Sequence, residues 1–191
     1  MVTRQEQRER RREEILRAAL RLFVRKGYAA TKVSDIAEAV GMSTGLMFHY
    51  FESKEALYVA LVEVGVDGPM AMVGENEGDA LAFFEGAAAG IMAYLRSDPT
   101  MADMFVLMSH ALVNDDAPER VKAKLAGFDV HTPTAEIVRR GQREGTVREG
   151  DPVALSVAFW AAIQGIAEEL SLHPGTPCPE SAWIVDIVRK K

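Results

Sequence analysis

The sequence is short of what would tie it to an oxidising compartment, a membrane or a catalytic centre. It has one cysteine, Cys178, in 191 residues, so no internal disulfide can form. No unbroken apolar run reaches the roughly 18 residues of a membrane span. The opening MVTRQEQRERRREE has basic residues but no apolar stretch behind them, unlike a secretory signal. A cytoplasmic protein is therefore expected. The four histidines, His49, His110, His131 and His173, have no metal-ligand spacing with one another or with Cys178. Phosphate loops and nucleophile elbows are missing as well. Gly86 and Gly90 flank three alanines in an apolar stretch, which suits close helix packing. The adjacent acids Asp115-Asp116 and Glu168-Glu169 point to different sides of a helix and read as solvated charge. No metal, no cofactor and no enzymatic activity are expected. Strand-like alternation and internal repeats are absent too, which leaves an all-α chain.

What is present is charge of opposite sign at the two ends of the chain. Residues 1–54 hold 11 basic and 7 acidic side chains, a net +4; the rest hold 11 basic and 21 acidic, a net −10. A basic piece on an acidic body suits a partner with phosphates that meets only the first part of the chain, although helix surfaces carry charge in any case.

The helical pattern sharpens this. Ile15, Ala18, Ala19, Leu22 and Phe23 form one apolar stripe, and Gly27 suits its end. A short helix follows, with Thr31 as N-cap and Val33, Ile36, Ala37 and Val40 at helical spacing. Gly41 breaks it, and Ser43 caps a third helix, Thr44–Phe51. Ser53 caps a fourth, with Leu57, Ala60, Leu61 and Val64. Two helices joined by a turn of three or four residues, among four helices in about 60 residues, is the layout of a helix-turn-helix module. Residues 65–78 read as a connection. Further helices are expected at about 79–96, 100–112, 118–145 (broken or kinked at Gly127 and Pro133), 151–170 and 181–190, with a loop at 173–180.

The segment TKVSDIAEAVGMSTGLMFHYFESKEAL, residues 31–57, resembles the DNA-binding signature of the TetR family of bacterial regulators. The matching elements are Thr31, Asp35-Ile36-Ala37, Val40-Gly41, Ser43, Gly45, Phe48-His49-Tyr50-Phe51 and Lys54. Residues 15–33 resemble the family's first helix and its corner, here Gly27-Tyr28. The resemblance implies a helix-turn-helix domain over residues 1–66, with the motif at about 32–51. It implies a helical ligand-binding and dimerisation domain over 67–191, and about nine helices in all. It also implies a repressor that binds a palindromic operator as a dimer and is released by a small effector. The family usually has tyrosine where this chain has Phe48, so a hydroxyl-to-phosphate contact is lost.

The residues at the motif suit that chemistry. Ser43, Thr44 and Gly45 are small or polar, as the leading end of a groove-reading helix requires. Leu46 is either an apolar surface for a thymine methyl or a core residue. Met47 and Phe51 are expected to hold this helix on the first one. His49 and Tyr50 can donate to phosphate oxygens, which fixes register, and Phe48 completes the candidate surface. Lys54 and Lys32 are either phosphate contacts or solvated lysines. Arg10, Arg11 and Arg12 either trail along the DNA or fray in solvent.

The second part suggests a dimer and a ligand. Residues 154–170 are apolar on more than one face, so one face suits the core and another suits a partner; a homodimer through about 151–190 is expected, against a central buried helix in a monomer. Phe84, Met92, Met104, Phe105 and Met108 line either an adaptable apolar pocket or plain core. His110, His131, Trp160 and Gln164 are the candidate polar contacts to a small, mostly apolar effector.

Overall fold

The computed structural model describes residues 3–74, 78–98 and 100–191. Its regular structure is helical: α1 (Arg4–Lys26), α2 (Val33–Ala39), α3 (Thr44–Met47), α4 (Lys54–Gly74), α5 (Ala80–Ser97), α6 (Thr100–Val113), α7 (Glu119–Leu125), α8 (His131–Glu144), α9 (Pro152–Leu172) and α10 (Ser181–Val185). The all-α class holds, with ten helices among the described residues rather than about nine. Two compact units emerge: Met1–Gly65 with Val106–Ala126, and Val66–Phe105 with Gly127–Lys191.

In the first unit, α1 buries Ile15, Ala19, Leu20 and Phe23. A reciprocal capping box between Thr3 and Glu6 starts the helix at Arg4, about three turns before its apolar stripe begins at Ile15. The arginines at 10–12 therefore lie within a formed helix, not on a frayed end. Gly41, at φ 64°, makes the turn after α2, since only a residue without Cβ takes that conformation freely. Ser43 accepts from the Leu46 N–H to cap α3, and Ser53 accepts from the Ala56 N–H to cap α4, both as expected. Phe23, Tyr28 and Tyr58 form an aromatic cluster with ring centroids 4.7–5.7 Å apart. Burial pushes both tyrosine phenols above their ordinary range, helped by Glu55 at Tyr28 and by Tyr28 at Tyr58. Lys124 pairs with Glu63 at 2.8 Å, joining α7 to α4.

The second unit centres on Phe84, Met92, Val138, Phe159 and Ile163, all fully buried. Phe83, Phe84, Phe159 and Trp160 make an edge-to-face aromatic chain from α5 to α9. Asp79 and Asp151 cap α5 and α9 through the N–H groups of Ala82 and Ala154. An antiparallel bridge joins Val147 to Arg189 just after α10. By length and mean hydropathy α4 and α9 could each cross a membrane. Within their units they instead supply core residues such as Leu57, Val62, Phe159 and Ile163.

Several boundaries differ from expectation. The connection expected at 65–78 is helical through Gly74; residues 75–77 lie outside the described set. Gly65 lies inside that helix, where a Cβ would meet the Met108 side chain. The third helix stops at Met47 rather than Phe51 and continues as a tight turn, with the His49 and Tyr50 N–H groups donating to Leu46 and Met47. Lys32, not Thr31, occupies the N-cap position of α2. The Thr31 hydroxyl is buried and donates to the Gly27 and Leu22 carbonyls instead. The 118–145 region splits into α7 and α8. Pro133 falls in the first turn of α8, where its missing N–H costs nothing. The last helix ends at Val185 rather than about Lys190.

Candidate nucleic-acid interface

The candidate surface is built on α3. Its inner side is Met47, buried to 1% exposure, with Phe51 buried one turn later. That is the anchoring pair expected from their spacing. On the other sides Ser43, Thr44, Gly45, Leu46, Phe48 and His49 are all exposed, and Tyr50 is half-buried. Leu46 and Phe48 are 46% and 49% exposed, so the core alternative for Leu46 does not hold. Lys32 is exposed at the start of α2. Most of these residues lie on or beside a short helix held by the Ser43 cap and the buried Met47, with Lys32 on the neighbouring α2.

Lys54 is placed differently. Its ammonium donates to the carbonyl oxygens of Tyr28 (2.7 Å), Thr31 (3.0 Å) and Ala29 (3.3 Å), and lies 4.3 Å from the centroid of the Tyr28 ring. All three N–H donors have partners inside the chain. The side chain ties the first turn of α4 to the corner between α1 and α2. That is an internal brace, a role beyond the two the sequence suggested, phosphate ligand and solvated lysine.

A supporting residue escaped the sequence reading. Arg12 donates to the Tyr50 carbonyl at 3.4 Å, and its guanidinium lies 4.3 Å over the Phe51 ring. It thus braces the chain just beyond α3 from α1. No local pattern signals this, since the partners are 38 and 39 residues away in sequence. Arg11 pairs with Glu14 at 2.6 Å. Asp35 accepts from Lys26 Nζ at 3.0 Å and from the Lys32 N–H at 3.4 Å, and those two contacts hold its carboxyl below the usual range.

The candidate ligand residues do not all share one unit. Phe84 and Met92 are fully buried in the second unit, beside Trp160; Met104 and Phe105 are half-buried there. The Trp160 indole N–H donates to Thr134 Oγ1 at 3.0 Å. Gln164 Nε2 donates to the Phe105 carbonyl at 3.2 Å and to Glu168 at 2.7 Å. His131 Nδ1 lies 3.4 Å from Ser156 Oγ. Met108 and His110 belong to the first unit; Met108 packs at Gly65 and His110 is exposed. On α9 the outward face carries Val153 and Val157, both exposed, and an apolar groove of about 390 Å³ lies along Ala161, Gly165, Ile166, Leu170 and Pro177. Among the described residues no cluster of His, Cys, Asp and Glu could hold a metal ion.

Comparison with known proteins places this geometry in context. The family model described as bacterial regulatory proteins, tetR family, matches residues 15–61, from the buried face of α1 into α4. The HTH-type transcriptional repressor AcnR of Corynebacterium diphtheriae is 35% identical over 117 residues, covering 56% of this chain and 60% of that protein, less than two thirds of its length. The HTH-type transcriptional repressor Rv1474c of Mycobacterium tuberculosis is 30% identical over 145 residues, covering 74% of this chain and 72% of that protein. The crystal structure of the TetR family regulator PfmR from Thermus thermophilus matches with a TM-score of 0.67 and 25% identity, over 90% of this chain and 93% of that one. These relatives are transcription regulators, not enzymes.

Proposed function

Because the chain belongs to the TetR family of bacterial regulators, we propose that it is a repressor that binds a palindromic operator as a homodimer and releases it when a small, mostly apolar effector binds. The observation that carries the DNA half is the exposed face of α3, anchored from beneath by Met47 and lying in the basic part of an otherwise acidic chain. In this reading Ser43, Thr44 and Gly45 meet base edges, while Lys32, His49 and Tyr50 donate to phosphates. The two heads of a dimer read half-sites one helical turn apart, or a multiple of it.

The exposed Val153 and Val157 of α9, with the groove along Ala161 and Gly165, support the homodimer through residues 151–190. Apolar area of this kind favours burial against a second copy. The apolar interior of the second unit, with the Gln164 amide among half-buried neighbours, supports a small apolar effector. The effector acts by binding better to the form of the dimer that does not fit the operator, since a ligand shifts an equilibrium only through differential affinity. A cytoplasmic location follows from binding chromosomal DNA.

The test is a fluorescence-anisotropy titration of the full-length protein against its own upstream intergenic DNA at two salt concentrations, with sedimentation of the wild type and Val157→Glu. Specific, steeply salt-dependent binding by a dimer, with Val157→Glu monomeric and weak on DNA, supports the proposal. Specific binding by a protein that remains monomeric would overturn the dimer.

A further inference from the structure

Gly45 has no explanation inside the chain. It sits in α3 without a positive φ, and a Cβ built on it would meet nothing within 4 Å. Neither backbone conformation nor internal packing asks for glycine there, and glycine disfavours a helix relative to alanine. Gly141 is the contrasting case: a Cβ on it would collide with Val147 and Ala80, so packing explains that glycine. Gly68, Gly86, Gly90 and Gly165 are likewise helical with open space at the Cβ position, so only the surroundings of Gly45 can give its bareness a use.

Its neighbours indicate what that is. Successive residues of a helix turn by about 100°. Gly45 therefore lies nearly opposite the buried Met47, with Leu46 on one side and Phe48 on the other. The outermost ridge of α3 is thus bare backbone flanked by two large apolar side chains, each about half exposed. The surface that buries them must be locally apolar, and it must also suit a segment of net charge +4. The major groove of DNA meets both conditions: it is lined by phosphates, and its one apolar feature is the 5-methyl group of thymine.

We infer that α3 selects its half-site largely by thymine 5-methyl groups packed on Leu46 and Phe48, and that Gly45 is bare so that the base edge can come to contact distance. This rests on the DNA-binding reading above and adds to it the base that is recognised and the means. The missing hydroxyl of Phe48 then fits its task, since a ring without a polar tip packs against a methyl without leaving a donor unpaired.

The experiment uses the specific duplex found in the titration. Each thymine is replaced in turn by deoxyuridine, which removes the methyl and nothing else, and Kd is measured for the wild type, Leu46→Ala, Phe48→Ala and Gly45→Ala. Wild type should lose about fourfold in affinity per contacted methyl, at positions related by the operator's symmetry. Leu46→Ala and Phe48→Ala should each become insensitive to deoxyuridine at one such position. Gly45→Ala should melt at a higher temperature than wild type yet bind the duplex at least tenfold more weakly. Specific binding that is indifferent to deoxyuridine at every position overturns the methyl recognition and leaves the DNA-binding reading standing. Undiminished binding by Gly45→Ala overturns the close approach. No specific binding to any genomic fragment overturns both this inference and the reading beneath it.

Discussion

The Lys54 ammonium lies 2.7 Å from the Tyr28 carbonyl oxygen and 4.3 Å from the centroid of the Tyr28 ring, so one side chain holds both the backbone and the aromatic face of a residue 26 positions earlier. With Thr31 and Ala29 as further acceptors, it closes the corner from which α2 and α3 depart. On the DNA-binding reading proposed above, its contribution would come through the shape of the head.

Lys54→Met should therefore lower the stability of the full chain by about 1.5–3 kcal/mol in urea unfolding, the range for hydrogen bonds to a charged group. The slope of log K against log salt should stay as in the wild type. Lys32→Ala should do the reverse: near-unchanged stability and a slope shallower by about 2, one phosphate for each copy in the dimer. Should Lys54→Met keep its stability and show that same loss of slope, Lys54 would be a phosphate ligand after all.

Gly141→Ala should destabilise by about 1–3 kcal/mol, because the added methyl collides with Val147 and Ala80. The gain in helix propensity, roughly 1 kcal/mol, is too small to offset this. Thermal melting checks it, and a melting temperature above wild type would show that Val147 yields.

The buried pair of Trp160 and Thr134 should behave as a unit. The Thr134 hydroxyl accepts from the indole at 3.0 Å and donates to the Val130 carbonyl at 2.6 Å. Thr134→Val leaves a buried indole N–H unpaired and should cost about 1–3 kcal/mol. In the Trp160→Phe background the same change should cost less, since that donor is gone. Equal costs in both backgrounds would show that the bond contributes nothing.

Asp35 sets an acid limit on the head. Its carboxyl is held below the ordinary range, first by Lys26 and then by the Lys32 N–H. The folded form therefore binds protons less readily than the unfolded form. The stabilisation is present above about pH 4, the ordinary aspartate range, and is lost as pH falls through the lowered folded value. Asp35→Asn should be less stable than wild type at pH 7 and converge on it as the pH falls below 4. Denaturant midpoints across that range are the measurement, and parallel curves would remove Asp35 from the acid response.

How much of this could be read from the residues depends on the range of the interaction involved. The stripe of Ile15, Ala19 and Phe23, the turn at Gly41, the caps at Ser43, Ser53, Asp79 and Asp151, and the Met47–Phe51 anchor are set by residues within a turn or two of each other. Local spacing alone determined them, and with them the helix-turn-helix layout, the all-α class and the charge asymmetry that points to DNA. Tertiary structure decided the rest, because each such choice is made by a partner far along the chain. Gly65 sits inside a helix with Met108 packed close upon it. Thr31 turns from cap to brace because the Gly27 and Leu22 carbonyls come within reach. Lys54 faces inward because three carbonyls converge on it. Leu46 is left exposed because Met47 and Phe51 supply the buried side of this segment; a hydrophobic pattern records which residues are apolar, but only packing decides which of them stay at the surface.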